Sequence, residues 1–552
     1  MANDKKVSIG SALRKFYKIL RLDKQDISAI YAFAILAGLV QLSLPLGIQT
    51  IISFVMAGSI STSIVILILL VVFGTFLNGL LQVRQLEIIE KLKQKIFLRY
   101  GLEFSDRIPR LDTEKLDKYY LPELVNRFFD TISLQKGLDK LLLDLPAAII
   151  QTLLGLLLLA FYHPIFIGFG ALMLLIIILI LRYTSPQGLA LAMQSSDYKY
   201  EVASWLQETA RAVKSFKYSK SNLNVDKADE LIGKHLDART QYFSVLLIQF
   251  WSLISFKIVI TAAMLIMGTL LLVDQQINVG QFIAADIVII TIIGSVEKLI
   301  LSLDKVYDAL VSIEKLGKIA DAEKETDGSL VLDAYLPTGI SIEFRNTSYT
   351  YNNGKKIINN VNYVIAAGQL IYVSGPSGSG KSTLMRLLTG TLKNFEGGIL
   401  IDNQPIKSYN LQSLRTATGI LLNSQDIFHA TLKENITMGN PSVDIREMSN
   451  YVEKLGLSDF VQSQSAGYDY ILDPSGKKLP KTIRQKILLI RALLGKNRLL
   501  LLEEPFENLD EPARIALIHI IKNRTDCTVL IASNDAIIAN ERDAILHLEK
   551  HL

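Results

Sequence analysis

Residues 375–383 read GPSGSGKST, and this stretch decides the fold of the second part of the chain. The apolar run LIYVS at 370–374 precedes it and the run LMRLL at 384–388 follows it, so the pattern predicts a strand, a glycine-rich turn and a helix. In that order, the backbone N–H groups of the turn and the start of the helix surround an anion. The stretch therefore predicts a phosphate loop that binds a nucleoside triphosphate.

Every residue of this loop is a candidate ligand of the triphosphate. The loop comprises Gly375, Pro376, Ser377, Gly378, Ser379, Gly380, Lys381, Ser382 and Thr383. Its glycines allow the backbone to approach phosphate oxygens closely. Lys381 is expected to reach the β- and γ-phosphates, and the Ser382 hydroxyl is expected to be a ligand of Mg²⁺.

The composition indicates at least two domains, one of them in a membrane. The chain has 552 residues, which are too many for one core. Half of them are hydrophobic, the mean hydropathy is +0.32, and the long apolar runs all end before residue 303. The net charge of +5 is modest, and the basic residues lie between the apolar runs, which favours membrane topology over nucleic-acid binding. Cys527 is the only cysteine, which excludes an intrachain disulfide.

Six stretches are long and apolar enough to cross a bilayer, which takes about twenty residues. They are 27–52, 62–83, 141–161, 164–183, 244–272 and 280–302. Lysine and arginine are abundant in 84–140 and 182–239 but absent from the short connections near 54–62, 161–164 and 273–279. The positive-inside rule therefore predicts a multi-pass protein of the inner membrane, with both termini and both long segments in the cytoplasm.

The first 25 residues are charged and amphipathic, with Lys5, Lys6 and Lys15 among them. They lack the apolar core of a signal peptide, so the pattern predicts a cytoplasmic amphipathic helix that lies on the membrane. Because the first span begins near residue 27, we expect no N-terminal cysteine peptidase domain.

The two long basic segments are expected to continue the membrane helices. Apolar residues recur with helical spacing after the second span, as at Leu86, Ile89 and Leu92, so the second to fifth spans should extend into the cytosol. The sequence YYLPEL at 119–124 interrupts this periodicity and predicts a short transverse helix.

Two ionisable residues fall inside the spans at similar predicted depth. Lys257 and Glu297 both lie about 20–25 Å below the outer ends of their helices, at 1.5 Å rise per residue. They are expected to pair in the interior of the helix bundle. The sequence leaves open whether the pair contacts cargo or only fixes helix packing.

From about residue 340 onward, strand-like and helical patterns alternate, which predicts a parallel-sheet ATPase core around the phosphate loop. The apolar run at 499–502 delivers two adjacent carboxylates, Glu503 and Glu504. We expect Glu503 to serve the Mg²⁺ ion and Glu504 to activate water. Upstream, Tyr349 and Tyr351 are each either a stacking partner of adenine or a half-buried strand residue, and Tyr351 is our candidate ligand.

Further stretches carry a family resemblance over nearly the whole chain. They are SLPLGIQ at 43–49, GTLLLVDQQINVGQFIA at 268–284, FHATLKENI at 428–436, GYDYILDPSGKKL at 467–479, IRALLGKNRLLLLEEP at 490–505 and ENLD at 507–510. With the phosphate loop, they resemble half-transporters of the ATP-binding cassette exporter superfamily, in particular the branch that secretes proteins and peptides. The resemblance implies an α-helical six-span membrane domain fused to an α/β phosphate-loop nucleotide-binding domain that binds ATP and Mg²⁺.

The resemblance also implies domain boundaries. The amphipathic N-terminal helix would occupy 1–25, the transmembrane domain 26–315, a linker 316–339 and the cassette domain 340–552.

Several positions depart from the motifs of the family that the chain resembles. The loop glutamine, which in relatives contacts Mg²⁺ and the attacking water, falls on Asn423, while Gln425 lies two residues out of register. The switch histidine falls on Ser533, and Glu503 stands where aspartate is usual. The positions of the loop glutamine and the switch histidine are therefore expected to contact nucleotide through the side chains of Asn423 and Ser533. Because these side chains differ from those of the family, ATP hydrolysis is expected to be slow.

The signature motif departs furthest. In relatives the sequence LSGGQ holds the γ-phosphate of ATP bound to the opposite subunit, and here residues 479–483 read LPKTI. Pro480 removes a backbone N–H and suits the start of a helix. Lys481 either supplies a charge where those amides are lost or is an ordinary solvated lysine.

Three functions remain open from the sequence. The first is a homodimeric exporter, with a protein or peptide as cargo and a periplasmic adaptor as an optional partner. The second is one half of a heterodimer with a related half-transporter. The third is an ATP-gated membrane regulator that does not pump. All three require a lipid bilayer, and none involves nucleic acid.

Overall fold

The computed structural model describes residues 9–58, 62–112, 114–115, 121–533, 535 and 543–550. The chain divides into two compact units. The first unit comprises Met1–Leu111 and Lys118–Glu323, and the second comprises Asp112–Asp117 and Lys324–Leu552. The first unit is helical, whereas the second contains two sheets.

Among its described residues, the helical unit contains six helical stretches that are long and apolar enough to cross a membrane, which confirms the number of spans predicted. Its helices are α1 (Ile9–Leu20), α2 (Lys24–Gln41), α3 (Ser43–Met56), α4 (Thr62–Arg107), α5 (Leu121–Val125), α6 (Asp130–Asp139), α7 (Leu145–Tyr162), α8 (Ile165–Arg211), α9 (Val213–Lys217), α10 (Leu223–Val273) and α11 (Val279–Ala320). A π-helical turn at Lys140–Asp144 joins α6 to α7.

The predicted helical extensions are present. Helices α4, α8 and α10 contain 46, 47 and 51 residues. At 1.5 Å per residue each is about 70 Å long, more than twice the thickness of the hydrocarbon core. In α4, Ile89, Leu92 and Ile96 are buried at the spacing of one helix face, so packing continues beyond the apolar span.

Two details differ from the predicted boundaries. The first span is not one helix, because it is interrupted at Leu42 between α2 and α3. Pro45 has no backbone N–H with which to continue the hydrogen-bond ladder across this point. At the other end of the unit, α11 continues to Ala320 with Leu316 and Ile319 buried, so the linker predicted at 316–339 begins inside a helix.

A helix is present over part of the positions predicted for the amphipathic helix and for the transverse helix. Helix α1 buries Ala12 and Phe16 on one face and exposes Tyr17 on the other, while residues 1–8 lie outside the described part of the chain. Of the predicted stretch 119–124, helix α5 begins at Leu121, and positions 119 and 120 also lie outside the described residues.

The second unit contains a parallel and an antiparallel sheet. The parallel sheet has strand order β6-β7-β8-β3-β9, and the antiparallel sheet has strand order β2-β1-β4-β5. The strands are β1 (Ile342–Thr350), β2 (Lys356–Ile365), β3 (Leu370–Ser374), β4 (Phe395–Ile401), β5 (Gln404–Pro405), β6 (Thr418–Leu421), β7 (Leu499–Glu503), β8 (Thr528–Ala532) and β9 (Ala544–His547). The helices are α12 (Lys381–Leu388), α13 (Leu411–Thr416), α14 (Leu432–Thr437), α15 (Ile445–Lys454), α16 (Ser458–Ser463), α17 (Lys481–Leu493) and α18 (Glu511–Lys522).

The parallel sheet follows from its sequence. Every residue of β7 and β8 is buried, and such unbroken apolar runs are typical of parallel strands covered on both faces. The antiparallel sheet was not predicted. It arises because β1 and β2 form a hairpin around Gly354, whose positive φ of 82° completes the turn.

The predicted ion pair between the membrane helices is present, but its side chains are 34% and 40% exposed, so the predicted place in the bundle interior is not seen in one chain. Lys257 Nζ lies 2.8 Å from Glu297 Oε1, so α10 and α11 are joined by a charge pair at matching depth. A single charge left unpaired among membrane helices is costly, whereas a paired one is tolerated.

We predict that Lys257→Met and Glu297→Leu each lower the melting temperature of the purified protein, because each leaves one charge without its partner, at a cost of about 1 kcal/mol after allowance for the partial exposure of both side chains. The charge swap Lys257→Glu with Glu297→Lys should recover most of that loss. Thermal unfolding in detergent measures all three variants. A swap variant no more stable than the single variants would show that the pair does not stabilise the helices.

Candidate nucleotide-binding site

Three neighbouring strands of the parallel sheet end at one edge, and a predicted site residue follows or ends each of them. β3 leads into the phosphate loop, β7 ends at Glu503, and β8 is followed by Ser533. Carboxyl ends of parallel strands are where ligands bind in such sheets. Strand order therefore brings together residues that are more than 150 positions apart in sequence.

The phosphate loop has the backbone geometry that its glycines were expected to supply. Gly375, Gly378 and Gly380 have φ values of 145°, 83° and 98°, a region that other residues rarely adopt. Gly375 also faces the carbonyl oxygen of Leu548, which would lie only 2.4 Å from an added Cβ. The loop then enters α12 at Lys381, as the motif predicts.

A cavity of about 280 Å³ lies against this loop. Its lining comprises Tyr351, Ile357, Ser377, Gly378, Ser379, Gly380, Lys381, Ser382, Thr383, Asn423, Glu503, Glu504 and Ala532. The structure therefore brings together most of the predicted ligands. Gly375 and Pro376 instead accept hydrogen bonds from Lys381 Nζ through their carbonyl oxygens, at 2.6 and 3.4 Å.

Glu503 connects two sides of the cavity. One carboxylate oxygen accepts a hydrogen bond from the Ser382 hydroxyl, and the other accepts one from the backbone N–H of Asn423 at 3.0 Å. Hydroxyl and carboxylate oxygens are the hard ligands that Mg²⁺ takes beside substrate phosphates. Ser382 and Glu503 thus fit the predicted metal-binding role, and their side chains are hydrogen-bonded to each other.

The structure also distinguishes Asn423 from Gln425. Asn423 lines the cavity, whereas the Gln425 side chain turns back to accept a hydrogen bond from the backbone N–H of Leu422 at 3.4 Å. Of these two residues, Asn423, which was aligned with the family's loop glutamine, is therefore the one that lines the cavity. Asparagine is one methylene shorter than glutamine, which reduces its reach.

Glu504 has a strained backbone and a fixed carboxylate. Its φ is 45°, a conformation that costs a residue other than glycine about 1–3 kcal/mol. Its N–H donates to the carbonyl oxygen of Ala532 at 2.7 Å, and its carboxylate accepts a hydrogen bond from the Ser533 hydroxyl at 2.8 Å. Glu503 and Glu504 therefore have different partners although they are consecutive.

The two tyrosines differ in access to the cavity. Tyr349 is 1% exposed and does not line it, whereas Tyr351 does and also makes a 3.0 Å hydrogen bond between its hydroxyl and Thr383 Oγ1. Of the two readings left open, the stacking role fits Tyr351 and the strand-core role fits Tyr349.

Lys481, which was predicted to supply a charge to the nucleotide, does not line the nucleotide cavity of its own chain. Lys481 is exposed at the first position of α17, after Pro480, and it is not among the residues that line the cavity. One turn later on the same helix, Gln485 donates hydrogen bonds to the carbonyl oxygens of Glu504 and Pro505 at 3.3 and 3.4 Å. Gln485 was missed from sequence, although its spacing of four from Lys481 places it on the same helix face.

Comparison with known proteins agrees with this architecture. The family model described as ABC transporter transmembrane region matches residues 27–296, and the one described as ABC transporter matches residues 358–507. The chain belongs to the ABC transporter family. Together the two matches include most of the membrane helices, the phosphate loop and the carboxylates Glu503 and Glu504.

Individual relatives of this ABC transporter are distant in sequence. The beta-(1→2)glucan export ATP-binding/permease protein NdvA of Rhizobium meliloti (strain 1021) is 26% identical over 291 residues, which are 52% of this chain and 49% of NdvA. The alpha-hemolysin translocation ATP-binding protein HlyB of Escherichia coli O157:H7 is 29% identical over 287 residues, which are 51% of this chain and 40% of HlyB. The chain thus spans about half the length of the curated relatives it matches.

A solved structure shares the fold over almost the whole length. It is described as a bacterial Atm1-family ABC exporter with ATP bound, and it matches with a TM-score of 0.85 at 18% identity. The match covers 96% of this chain and 94% of that one. At this identity the likeness shows the fold.

Asp510, in the ENLD motif, anchors the start of α18 and a buried lysine. Its carboxylate accepts hydrogen bonds from the N–H of Ala513 at 3.1 Å and from Lys486 Nζ at 2.7 Å. The Lys486 side chain is only 4% exposed, so it depends on this partner. The hydrogen bond from Lys486 is the main cause that holds the pKa of Asp510 below its ordinary value.

We predict that Asp510→Asn destabilises the protein at pH 7 by about 1 kcal/mol, after allowance for the partial exposure of the carboxylate. Because the folded-state pKa is lowered, this contribution is present above the ordinary aspartate pKa and is lost as pH falls through the folded-state value. Melting temperatures of the two proteins should therefore converge on acidification. A constant difference from pH 7 to pH 3 would contradict the assignment.

Proposed function

We propose that this chain is an ATP-driven exporter subunit that works as a dimer in the inner membrane, with its nucleotide site in the cytoplasm. The observation that carries the proposal is the single cavity that joins the phosphate loop, Glu503, Glu504 and Tyr351. Six membrane-spanning helices in the same chain provide the structure on which ATP binding would act. Family membership supports the coupling of these two parts.

Within this site each side chain has a defined task. Tyr351 stacks on the adenine, and Lys381 leaves the loop carbonyls to contact the β- and γ-phosphates. Glu504 accepts a proton from the attacking water, and the hydrogen bond from Ser533 holds its carboxylate in place. Ser382 and Glu503 would hold Mg²⁺, which would supply positive charge beside the phosphates.

Turnover is expected to be slow for two physical reasons. The side chain of Asn423 is shorter than glutamine, and Ser533 has a hydroxyl where relatives have an imidazole. Contacts that position water or phosphate in the transition state are typically worth about a hundredfold each in rate. The proposed enzyme therefore binds ATP well and hydrolyses it slowly.

A dimer is supported by the position of Lys481. It is exposed at a helix N-terminus and does not line the cavity of its own chain. The resemblance implies that this segment faces ATP held by a second subunit. A homodimer needs Lys481 to replace the lost signature amides, whereas a heterodimer would obtain an intact signature from a related half-transporter.

The proposed cargo is a protein or peptide, with a periplasmic adaptor as a further partner. Support comes from relatives named for alpha-hemolysin translocation and leukotoxin export. The relatives named for beta-(1→2)glucan export make a polysaccharide the alternative. Stimulation of the ATPase by candidate cargo in proteoliposomes separates the two classes.

We predict that Lys381→Ala weakens ATP binding by about tenfold or more, because a charge-assisted contact to phosphate is lost. Glu504→Gln should retain binding but lower the hydrolysis rate by about a hundredfold or more. Calorimetric titration and phosphate release measure the two effects. Unchanged affinity in Lys381→Ala would refute the phosphate-loop assignment, while ATP binding without measurable hydrolysis in the wild type would favour the regulator.

We predict that Lys481→Ala weakens the ATP-dependent dimer formed by the Glu504→Gln variant, since the lysine would contact phosphate across the interface. The matched control is Lys478→Ala, which removes a neighbouring lysine that is 82% exposed and paired with Asp473. Mass photometry of both variants with ATP measures dimerisation. Equal dimer fractions would assign Lys481 to solvent and favour the heterodimer.

A further inference from the structure

Tyr372 is a hydroxyl-bearing side chain within the parallel sheet of the second unit. It lies in β3, two residues before the strand ends at Ser374, and it is only 8% exposed. Strand β3 pairs with β8 on one side and with β9 on the other, and Tyr372 stands opposite Ile531 of β8. A tyrosine hydroxyl in this place needs a hydrogen-bond partner, because burial of the hydroxyl without one is costly.

The backbone that follows β8 provides this partner. The Tyr372 hydroxyl donates a hydrogen bond to the carbonyl oxygen of Ser533 at 2.6 Å, and the carbonyl oxygen of Asp535 lies 3.5 Å from the same hydroxyl. The Asp535 carboxylate is in turn paired with Arg514 of α18. The described residues that follow β8 are therefore held from two sides, by a strand of the sheet and by a helix.

The side chain of Ser533 connects this anchored backbone to Glu504. Its hydroxyl donates to the Glu504 carboxylate at 2.8 Å and accepts from the N–H of Asp535 at 3.1 Å. Because the serine oxygen is bonded directly to Cβ, its position is set by the Ser533 backbone and a single side-chain torsion. Tyr372, Ser533 and Glu504 therefore form a continuous series of hydrogen-bonded groups that begins in the sheet and ends at the proposed base.

We propose that Tyr372 is a positioning residue for ATP hydrolysis: its hydroxyl holds the backbone of Ser533, and the Ser533 hydroxyl in turn holds the Glu504 carboxylate. The inference rests on the proposed function, because it requires Glu504 to act on water. Without the Tyr372 hydroxyl the buried carbonyl of Ser533 loses this donor, and the backbone shifts toward another one. Tyr372 is not among the residues that line the cavity, so it acts on the rate of hydrolysis and not on ATP binding.

The test compares Tyr372→Phe with the matched control Tyr409→Phe in the full-length protein in detergent. Each substitution removes one buried hydroxyl that donates to a backbone carbonyl, and Tyr409 donates to Ile401 at 2.9 Å, outside the lining of the nucleotide cavity. Tyr372→Phe should lower kcat about tenfold, because a small displacement of a catalytic group is enough for such a loss. Its KM and its calorimetric Kd for ATP should stay within about twofold of wild type.

Tyr409→Phe should leave kcat unchanged. Both variants should lose a similar amount of thermal stability, because each loses one buried hydrogen bond. A difference in kcat between two variants of equal stability is an effect that a merely structural role of Tyr372 would not produce.

A Ser533→Ala background tests whether Tyr372 acts through Ser533. Ser533→Ala removes the hydroxyl that holds Glu504, and it should itself lower kcat by about tenfold or more. Adding Tyr372→Phe to this variant should cause no further loss, as expected for residues that act in series. Phosphate release measures kcat in all four proteins.

The outcomes separate this inference from the proposed function. Unchanged kcat in Tyr372→Phe, or an equal loss in Tyr409→Phe, would overturn the inference and leave Tyr372 a support for the fold alone. A further loss when Tyr372→Phe is added to Ser533→Ala would overturn it as well, because Tyr372 would then act by another route. In each of these cases Glu504→Gln would still hydrolyse ATP slowly. Hydrolysis by Glu504→Gln at the wild-type rate would instead refute the proposed role of Glu504, and the inference with it.

Discussion

Burial of the Glu503 carboxylate at the end of β7 is the constraint on which the nucleotide site depends. The residue is 7% exposed, and a charge removed from water to this degree needs donors on both oxygens. The Ser382 hydroxyl and the Asn423 N–H supply them, one from the phosphate-loop helix and the other from the chain after β6. The strand, the loop and the following segment are therefore held around one carboxylate, and the cavity between them is a consequence of that requirement.

Charged side chains on the membrane helices also need partners, and lipid offers them fewer hydrogen-bonding groups than water does. Lys257 and Glu297 lie at matching depth on different helices and are paired at 2.8 Å. Because lipid offers no donors or acceptors to a side chain, each charge selects the position of the other helix. The break at Leu42 is tolerated for a related reason: the hydrogen bond that Pro45 cannot make is lost where one helix ends and the next begins.

The sequence determined the large features of the fold and most of the cavity, because these depend on local pattern. Six apolar runs gave six spans, and the phosphate loop gave a strand, a turn and a helix at the expected residues. The antiparallel sheet escaped prediction because it depends on pairing between distant segments. Gln485 escaped because its spacing from Lys481 indicates only a shared helix face, not the side-chain contact with the backbone of Glu504. Tyr349 and Tyr351 could be distinguished only by burial.

Ser533 stands at the position aligned with the family's switch histidine, and its hydroxyl can form fewer hydrogen bonds as a donor than the site has acceptors. A serine hydroxyl has one proton to donate, and here it goes to the Glu504 carboxylate at 2.8 Å, while the oxygen accepts from the N–H of Asp535 at 3.1 Å. In this arrangement the hydroxyl has no second proton with which to contact a γ-phosphate. Holding the proposed base and binding the phosphate are thus separate tasks in this chain, and the Ser533 hydroxyl is committed to the first. In the proposed dimer, the exposed ammonium of Lys481 from the second subunit would add a donor with three protons.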